Sequence, residues 1–438
     1  MRNSKVFFVL VLLASALGMT FIAPHVEKHI ATTQAFPATV CPGFSSDGNT
    51  KALLSGSGAR IHQISPKSLT FKNAGVRNYS LTQDALLVDG NPTTSVGITY
   101  SGGKWLGSSL CNVGTGNQWF LGGSGAVTSK GKLDLVNSGL SDASVELTVF
   151  SAHLAPITST VIVKANSDRI LLLDALAPGE GSIAVHVLTR SGRVTSFMLD
   201  QQQKGLSSLG LDYVNSYPEP STSVVIPGVA YTAGKGNSLS HILRLLAPGA
   251  LDATIKVTIH STEGDFTPIG FDGRTLAHGK VYDLPLTNIS EAHPFSIEVS
   301  SDQPVLASAQ SSISVSGKHE FAWATAATKL RQVTLNLGGL SPAFVFSGDQ
   351  IKVNIQWISE TGKRGSVSVT GDQVTYWKPT QNLIRATLTT SDAATYANLI
   401  FLTANSSQLG FSYLPIMPGA SLETSTLPIM DARVISRE

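Results

Sequence analysis

The segment from Ser141 to Ser151, SDASVELTVFS, returns at Leu251 to Ser261 as LDATIKVTIHS, 110 positions on (Asp142 to Asp252), with the same alternation of apolar and polar residues. A fixed repeat constrains architecture before any single residue does, because each copy is one supersecondary unit that buries its apolar face in the same way. The period of two marks that unit as strand. Val145, Leu147 and Val149 fall on one face and Glu146 and Thr148 on the other, as in an antiparallel sheet with one wet side. Phe150, next along, is expected to point outward or close an edge.

Flanking segments repeat in the same order. KLDLVNSG (Lys132 to Gly139) precedes the first copy and ILRLLAPG (Ile242 to Gly249) the second; RILLLDAL is matched by KVYDLPL, and IAVHVLTRSGRVTS by FSIEVSSDQPVLAS. A looser third copy opens with IKVNIQWISETG, 96 positions on (Ile255 to Ile351). Ahead of the repeats, short apolar runs such as ALLVD and SVGITYS alternate with Gly, Asn and Pro clusters, which also reads as strand and turn. The expected organisation is a signal-anchor segment at 1–30, an N-terminal β region at 31–125, and β-sandwich repeats at 126–223, 224–335 and, divergently, 336–438. A linker is expected at Tyr217 to Ser223, YPEPSTS. About seven short strands per roughly 100 residues gives the fold class: all-β, tandem sandwiches of immunoglobulin or fibronectin III kind. The Cys, Trp, Cys signature of a true immunoglobulin domain is missing from the repeats, so the likeness is architectural.

Only 14% of the 438 residues are charged and the net charge is +2, so no basic field exists for nucleic acid. Arg2 and Lys5 precede an uncharged run from Val6 to Ala23 that ends at Pro24. This is expected to be a single-pass anchor with the bulk of the chain outside the membrane; the alternative is a signal peptide cleaved near Ala16-Leu17-Gly18. The run stays apolar through Phe21 and Ile22, which favours the anchor. Cys41 and Cys111 then lie in the first extracytoplasmic stretch and are expected to form a disulfide.

No catalytic constellation emerges. Ser129 and Lys132 fit a loose S-x-x-K, but Gly131 and the strand that follows deny them the helix that chemistry needs. Asp174, Glu180, Asp252, Asp283 and Asp302 are spread over strand ends and turns rather than paired. Asp142 and Asp252 hold matching places before a strand, where Asp closes an Asx-turn. His25, Glu27 and His29 form H-x-E-x-H beside the apolar run and read as a solvated face, and the other histidines are single. No metal or cofactor is expected. Trp105, Trp119, Trp323 and Trp357 read as core; Tyr376 and Trp377 are the candidate ligand-contact aromatics, because adjacent strand residues face opposite ways and one should be exposed.

WFLGGSG, VVIPGV, SSDQPVLAS and FAWATAAT (Phe321 to Thr328), in that order, together with the early CP dipeptide, resemble an actinobacterial family of large secreted or membrane-anchored proteins of unknown function, from about Thr39 onward. The resemblance implies an envelope location and supplies no reaction or site residues. The functional expectation is a non-enzymatic extracytoplasmic protein: a spacer or interaction module for cell-wall glycan or envelope proteins. The alternative is a carbohydrate-binding or carbohydrate-processing accessory of wall assembly.

Overall fold

Alternation in the repeated segments becomes burial of period two. In the computed structural model Val145, Leu147 and Val149 are buried on the strand Ala143–Ser151 while Ser144, Glu146 and Thr148 are half-exposed, and the strand Ala253–Ser261 repeats the pattern. The structure describes residues 38–43, 49–54, 58–65, 69–74, 78–81, 84–89, 96–101, 106–114, 116–205, 207–217, 219–230, 238–287, 289, 293–391, 394–404 and 409–417. The segment 1–30, expected to be a signal-anchor, lies outside them. No helix among the described residues is long and apolar enough to cross a membrane.

The first sandwich contains β1 (Ala38–Cys41), β2 (Asn49–Leu54), β3 (Ala59–Gln63), β4 (Lys72–Ala74), β5 (Asn78–Ser80), β6 (Leu86–Asp89), β7 (Val96–Ser101) and β8 (Leu106–Leu110), with a short β9 (Asn112–Val113) beside β1. The second contains β10 (Asn117–Leu121), β11 (Lys132–Asn137), β12 (Ala143–Ser151), β13 (Ile157–Val163), β14 (Ser167–Leu172), β15 (Ile183–Ser191), β16 (Val194–Lys204) and β17 (Ser207–Val214). A one-turn helix α1 (Leu173–Leu176) follows β14, so the end of RILLLDAL leaves the strand that the sequence suggests.

The third contains β18 (Ser221–Val229), β19 (Ser238–Leu246), β20 (Ala253–Ser261), β21 (Gly264–Phe266), β22 (Asp272–Leu276), β23 (Val281–Leu286), β24 (Phe295–Val315) and β25 (Lys318–Thr325). The fourth contains β26 (Val333–Leu340), β27 (Ala343–Ser359), β28 (Arg364–Trp377), β29 (Leu383–Thr390), β30 (Tyr396–Ala404) and β31 (Leu409–Pro415).

All four share one topology. Counting strands within a sandwich, one sheet has the order 4-3-6-1 and the other 5-2-7-8: β4-β3-β6-β1 with β5-β2-β7-β8, and β13-β12-β15-β10 with β14-β11-β16-β17. In the third, β24 serves as both sixth and seventh strand, while β21 and β22 share the fourth position on β20. In the fourth, β27 is second and third, and β28 fourth and fifth. The N-terminal β region is therefore the same fold as the repeats. The immunoglobulin order also puts second beside fifth and third beside sixth, but pairs first with second; here the first strand pairs with the sixth. Where β15 passes to β16 the chain breaks at Gly192 (φ 87°), whose missing Cβ lets Ala143 pack against it; β24 makes the same passage unbroken through Pro304.

The sandwiches do not form a row. Within the compact unit Thr33–Glu438, the opening strand of each lies against the second and seventh strands of the next: β10 on β19 and β24, β18 on β27 and β30, and β26 on β2 and β7 of the first sandwich. The remaining joint is made by Val40 and Cys41 of β1, which share a core with Val136, Phe197 and Leu199 of the second sandwich. First meets second, second third, third fourth, and fourth first. The packing cycle is closed. The core between the third and fourth sandwiches likewise mixes Val345, Phe411 and Tyr413 with Ile226 and Ala309. The Tyr217 to Ser223 linker is pinned rather than free, since the main chains of Trp119 and Tyr217 exchange two hydrogen bonds (2.8 and 2.9 Å) and β18 begins at Ser221.

Candidate functional site

The four closing strands β8, β17, β25 and β31 pack against one another in a ring, each touching the next. Their polar side chains meet there, out of water. The Trp323 amide donates to Asp212 Oδ2 (2.8 Å) and Ser412 Oγ to Asp212 Oδ1 (2.7 Å). The Ser108 amide donates to Ser412 Oγ (2.8 Å), and the two serine hydroxyls also bond (2.8 Å). One chain of bonds thus links all four sandwiches. The Trp323 indole N–H donates to Asp200 Oδ2 (3.0 Å), and the Leu211 amide to Glu320 Oε1 (2.8 Å). On the far side Tyr413 Oη accepts from the Ala230 amide (2.9 Å) and bonds Ser311, which bonds His241 Nδ1 (2.9 Å).

Arg244 in β19 locks the second joint. Its guanidinium grips Asp283 with two bonds (2.7 and 2.8 Å), donates to the carbonyls of Gly123 (2.6 Å) and Ile183 (3.2 Å), and lies 4.8 Å over the Trp323 ring. Burial pushes Asp283 up, but Arg244 outweighs it and holds the carboxyl below its usual range. Burial raises Asp200, and raises Asp212 and Glu320 far more, against the donors that face them; Asp212 adds to the rise at Glu320. Burial thus favours the protonated form of each, most strongly at Asp212 and Glu320, so the stability they contribute is present below the unfolded carboxylate value and lost as pH rises through their folded values. Buried carboxyls that accept from amides, a hydroxyl and an indole hold strands together. They are not arranged around a solvent-open cleft as a pair of catalytic carboxylates would be.

The residues singled out from sequence are dispersed. Cys41 and Cys111 are bridged, joining the opening strand of the first sandwich to the end of its closing strand. Tyr376 and Trp377 do face opposite ways, yet neither is exposed. Tyr376 packs on the third sandwich and bonds His293 (3.1 Å), while Trp377 packs on Phe344 (ring centres 5.2 Å). The expectation of one exposed aromatic fails because both faces of β28 are covered at its C-terminal end, where Tyr376 and Trp377 are each half-buried. Phe150 is buried between the second and third sandwiches with Trp119 and Leu246. Trp119 stacks on His186 at 3.8 Å, and burial lowers that histidine to about 4. Trp357 is half-buried; Trp105, His25, Glu27 and His29 lie outside the described residues.

Ser129 is buried and accepts from the Gly131 amide. Asp142 and Asp252 do play matching parts, but as long-range clasps and not Asx-turns: Asp142 accepts from the Ala165 amide (3.1 Å) and Asp252 from that of His278 (2.9 Å). Asp302 accepts from the Thr254 amide, and Glu180 from His153. Among the described residues no group of three or more potential ligands is placed to hold a metal. Nothing in the sequence points to Asp200, Asp212 or Glu320, whose partners on other sandwiches lie 109 to 200 positions away in the chain.

A family model described as "Family of unknown function (DUF5719)" matches residues 88–375, more than half of the chain, from β6 of the first sandwich into β28 of the fourth. A search of curated proteins found no match. Two solved structures are similar at a low level, both of the RrgB pilus backbone protein from Streptococcus pneumoniae. The pilus backbone structure is 10% identical with a TM-score of 0.11, covering 52% of this chain and 81% of that one. The full-length structure is 8% identical with a TM-score of 0.12, covering 88% and 60%. Likeness at these scores carries no argument about what the chain does.

Proposed function

From the premise that this chain belongs to the family of unknown function DUF5719, we propose that it is a non-enzymatic extracytoplasmic platform that engages another protein of the cell envelope. The observation that carries this reading is the closed packing cycle. Modules strung in a row would serve as a spacer, whereas a fourth sandwich that returns to the first builds one body and gives up reach. The buried carboxylates are spent on joints, which supports a role without catalysis. The disulfide fits an oxidising compartment, and the apolar run from Val6 fits a membrane tether.

A protein partner is favoured over wall glycan. The candidate stacking aromatics Tyr376 and Trp377 are packed inward, while the outer edge of the second sandwich shows aliphatic side chains: Ile157 (53% exposed) and Ile162 (47%) on β13, Ile170 and Leu172 on β14. Both strands end their sheets, and β13 is seven residues without a charge, a glycine or a proline. An unprotected edge of this kind suits pairing with another polypeptide. The test is site-specific photo-crosslinking from position 162 in intact cells, against position 363 on another sandwich as control. A discrete protein adduct at 162 that the substitution Ile157→Lys on the same strand abolishes supports the reading. Residue-dependent hydrolysis of wall polymer by the purified protein, or adducts equal at both positions, overturns it.

A further inference from the structure

The four joints are built alike, and one residue pair marks each: the outward residue of the second strand and its cross-strand partner on the seventh. The pairs are Leu53 with Gly97, Asp134 with Phe197, Arg244 with Ser308, and Val345 with Asn398. Each sits under the end of the preceding opening strand. Arg244 donates to Gly123 O, Ser308 to Leu121 O (2.6 Å), and Asn398 to Gly228 O (2.9 Å); Gly338 packs on Leu53 while Asn336 donates to Leu54 O (2.7 Å). Three joints are thus closed by neutral groups or by a cation with its own counter-ion. The joint between first and second sandwiches has Asp134 instead, fully buried, with neither oxygen in a hydrogen bond of normal geometry.

We propose that Asp134 makes this joint a proton-gated latch: neutral, the side chain packs silently between the first and second sandwiches, and ionised, it drives them apart. Among the described residues the groups around it offer no counter-charge. On β14 the facing charge is Asp168, which also feels the charge of Asp84 of the first sandwich; across on β16 stands Phe197; from just past the end of the opening strand comes the Gly43 amide. Burial first, and the Asp168 charge second, raise Asp134 well above the usual carboxylate range, with the Gly43 amide opposing. The joint is therefore tightest below the ordinary carboxylate value and weakens as pH climbs from there through the raised one, because opening lets the carboxylate ionise in water.

The experiment is hydrogen exchange of the intact protein from pH 5 to 9, corrected for intrinsic rates, followed in peptides covering β1 and β11. Joint opening in the wild type should rise about tenfold per pH unit while Asp134 is neutral in the closed joint and ionises only on opening, and level off above its folded value; peptides covering β18 and β27, at the joint between third and fourth, should stay level above about pH 7. Asp134→Asn should flatten the β1 and β11 response. Asp134→Leu, which removes the charge without adding a polar group, should flatten it as well and covers the case in which Asn itself loosens the joint. A wild-type response that is level, or one that persists in both variants, overturns the proposal; the second result would hand the effect to Asp168 or to the acids of the closing-strand junction.

Discussion

Replacing Arg244 by Met should cost the protein about 5 kcal/mol and open the joint between the second and third sandwiches. The figure is built from what the guanidinium touches. Removing one partner of a buried ion pair costs about 3–5 kcal/mol; the Asp283 side chain is 27% exposed, so water recovers part of this and the lower end applies. The carbonyls of Gly123 and Ile183 lose their donor inside the joint, at about 1 kcal/mol or more together. The cation over Trp323 adds about 1 kcal/mol. Urea unfolding with the disulfide intact measures the loss, and Arg244→Met/Asp283→Asn, which removes the stranded charge, should recover about 2 kcal/mol of it. Asp283 is held low in the fold, so its stabilisation is present above the unfolded carboxylate value near about 4 and lost as pH falls through the folded one. The gap between wild type and Arg244→Met should narrow in that acid window. A loss under about 1 kcal/mol, or a gap indifferent to pH, would refute the buried geometry assigned to Arg244.

Reduction of Cys41–Cys111, or Cys41→Ser, releases a loop of 70 residues and should lower the stability of the first sandwich by up to about 4 kcal/mol, read by thermal melting with and without reductant. Gly228→Ala places a Cβ 2.7 Å from that of Val345 at a φ of 74° and should cost about 2–4 kcal/mol, whereas Gly179→Ala, at a φ of 80° with open space around it, should cost about 1 kcal/mol. Equal losses in denaturant titrations would mean the third and fourth sandwiches do not meet at Gly228. Burial lowers His241 to about 4, so the unfolded chain takes the proton first and stability is lost as pH falls from about 6.5 through about 4; the loss amounts to about 3 kcal/mol, and His241→Gln should flatten that part of the pH profile.

The strands of the second and third sandwiches were legible because one face of each is wet. Glu146 and Lys256 hold the alternation open, so β12 and β20 announce themselves and each other. The first sandwich hid its kinship. Its strands are only two to six residues long, too short to carry a repeat that survives sequence change, and only the pairing order reveals it. The joints were hidden for another reason. Asp134, Arg244, Val345 and Leu53 occupy one structural position with three chemistries, acidic, basic and aliphatic, since each need only suit the opening strand above it. Tyr376 and Trp377 show the limit of reading one strand at a time. Alternation places them on opposite faces, but whether a face is wet depends on a neighbouring sandwich that the strand does not encode.

The central claim is that the fourth sandwich closes back on the first. Ser108 and Ser412 lie on their closing strands with hydroxyl oxygens 2.8 Å apart and out of water. The direct test is the double variant Ser108→Cys/Ser412→Cys, oxidised under mild conditions and mapped by peptide mass spectrometry without reduction. The closed cycle predicts an intramolecular 108–412 link, independent of protein concentration, alongside the intact Cys41–Cys111 bridge. Two thiols that stay free in folded protein and react readily with an alkylating reagent would contradict it.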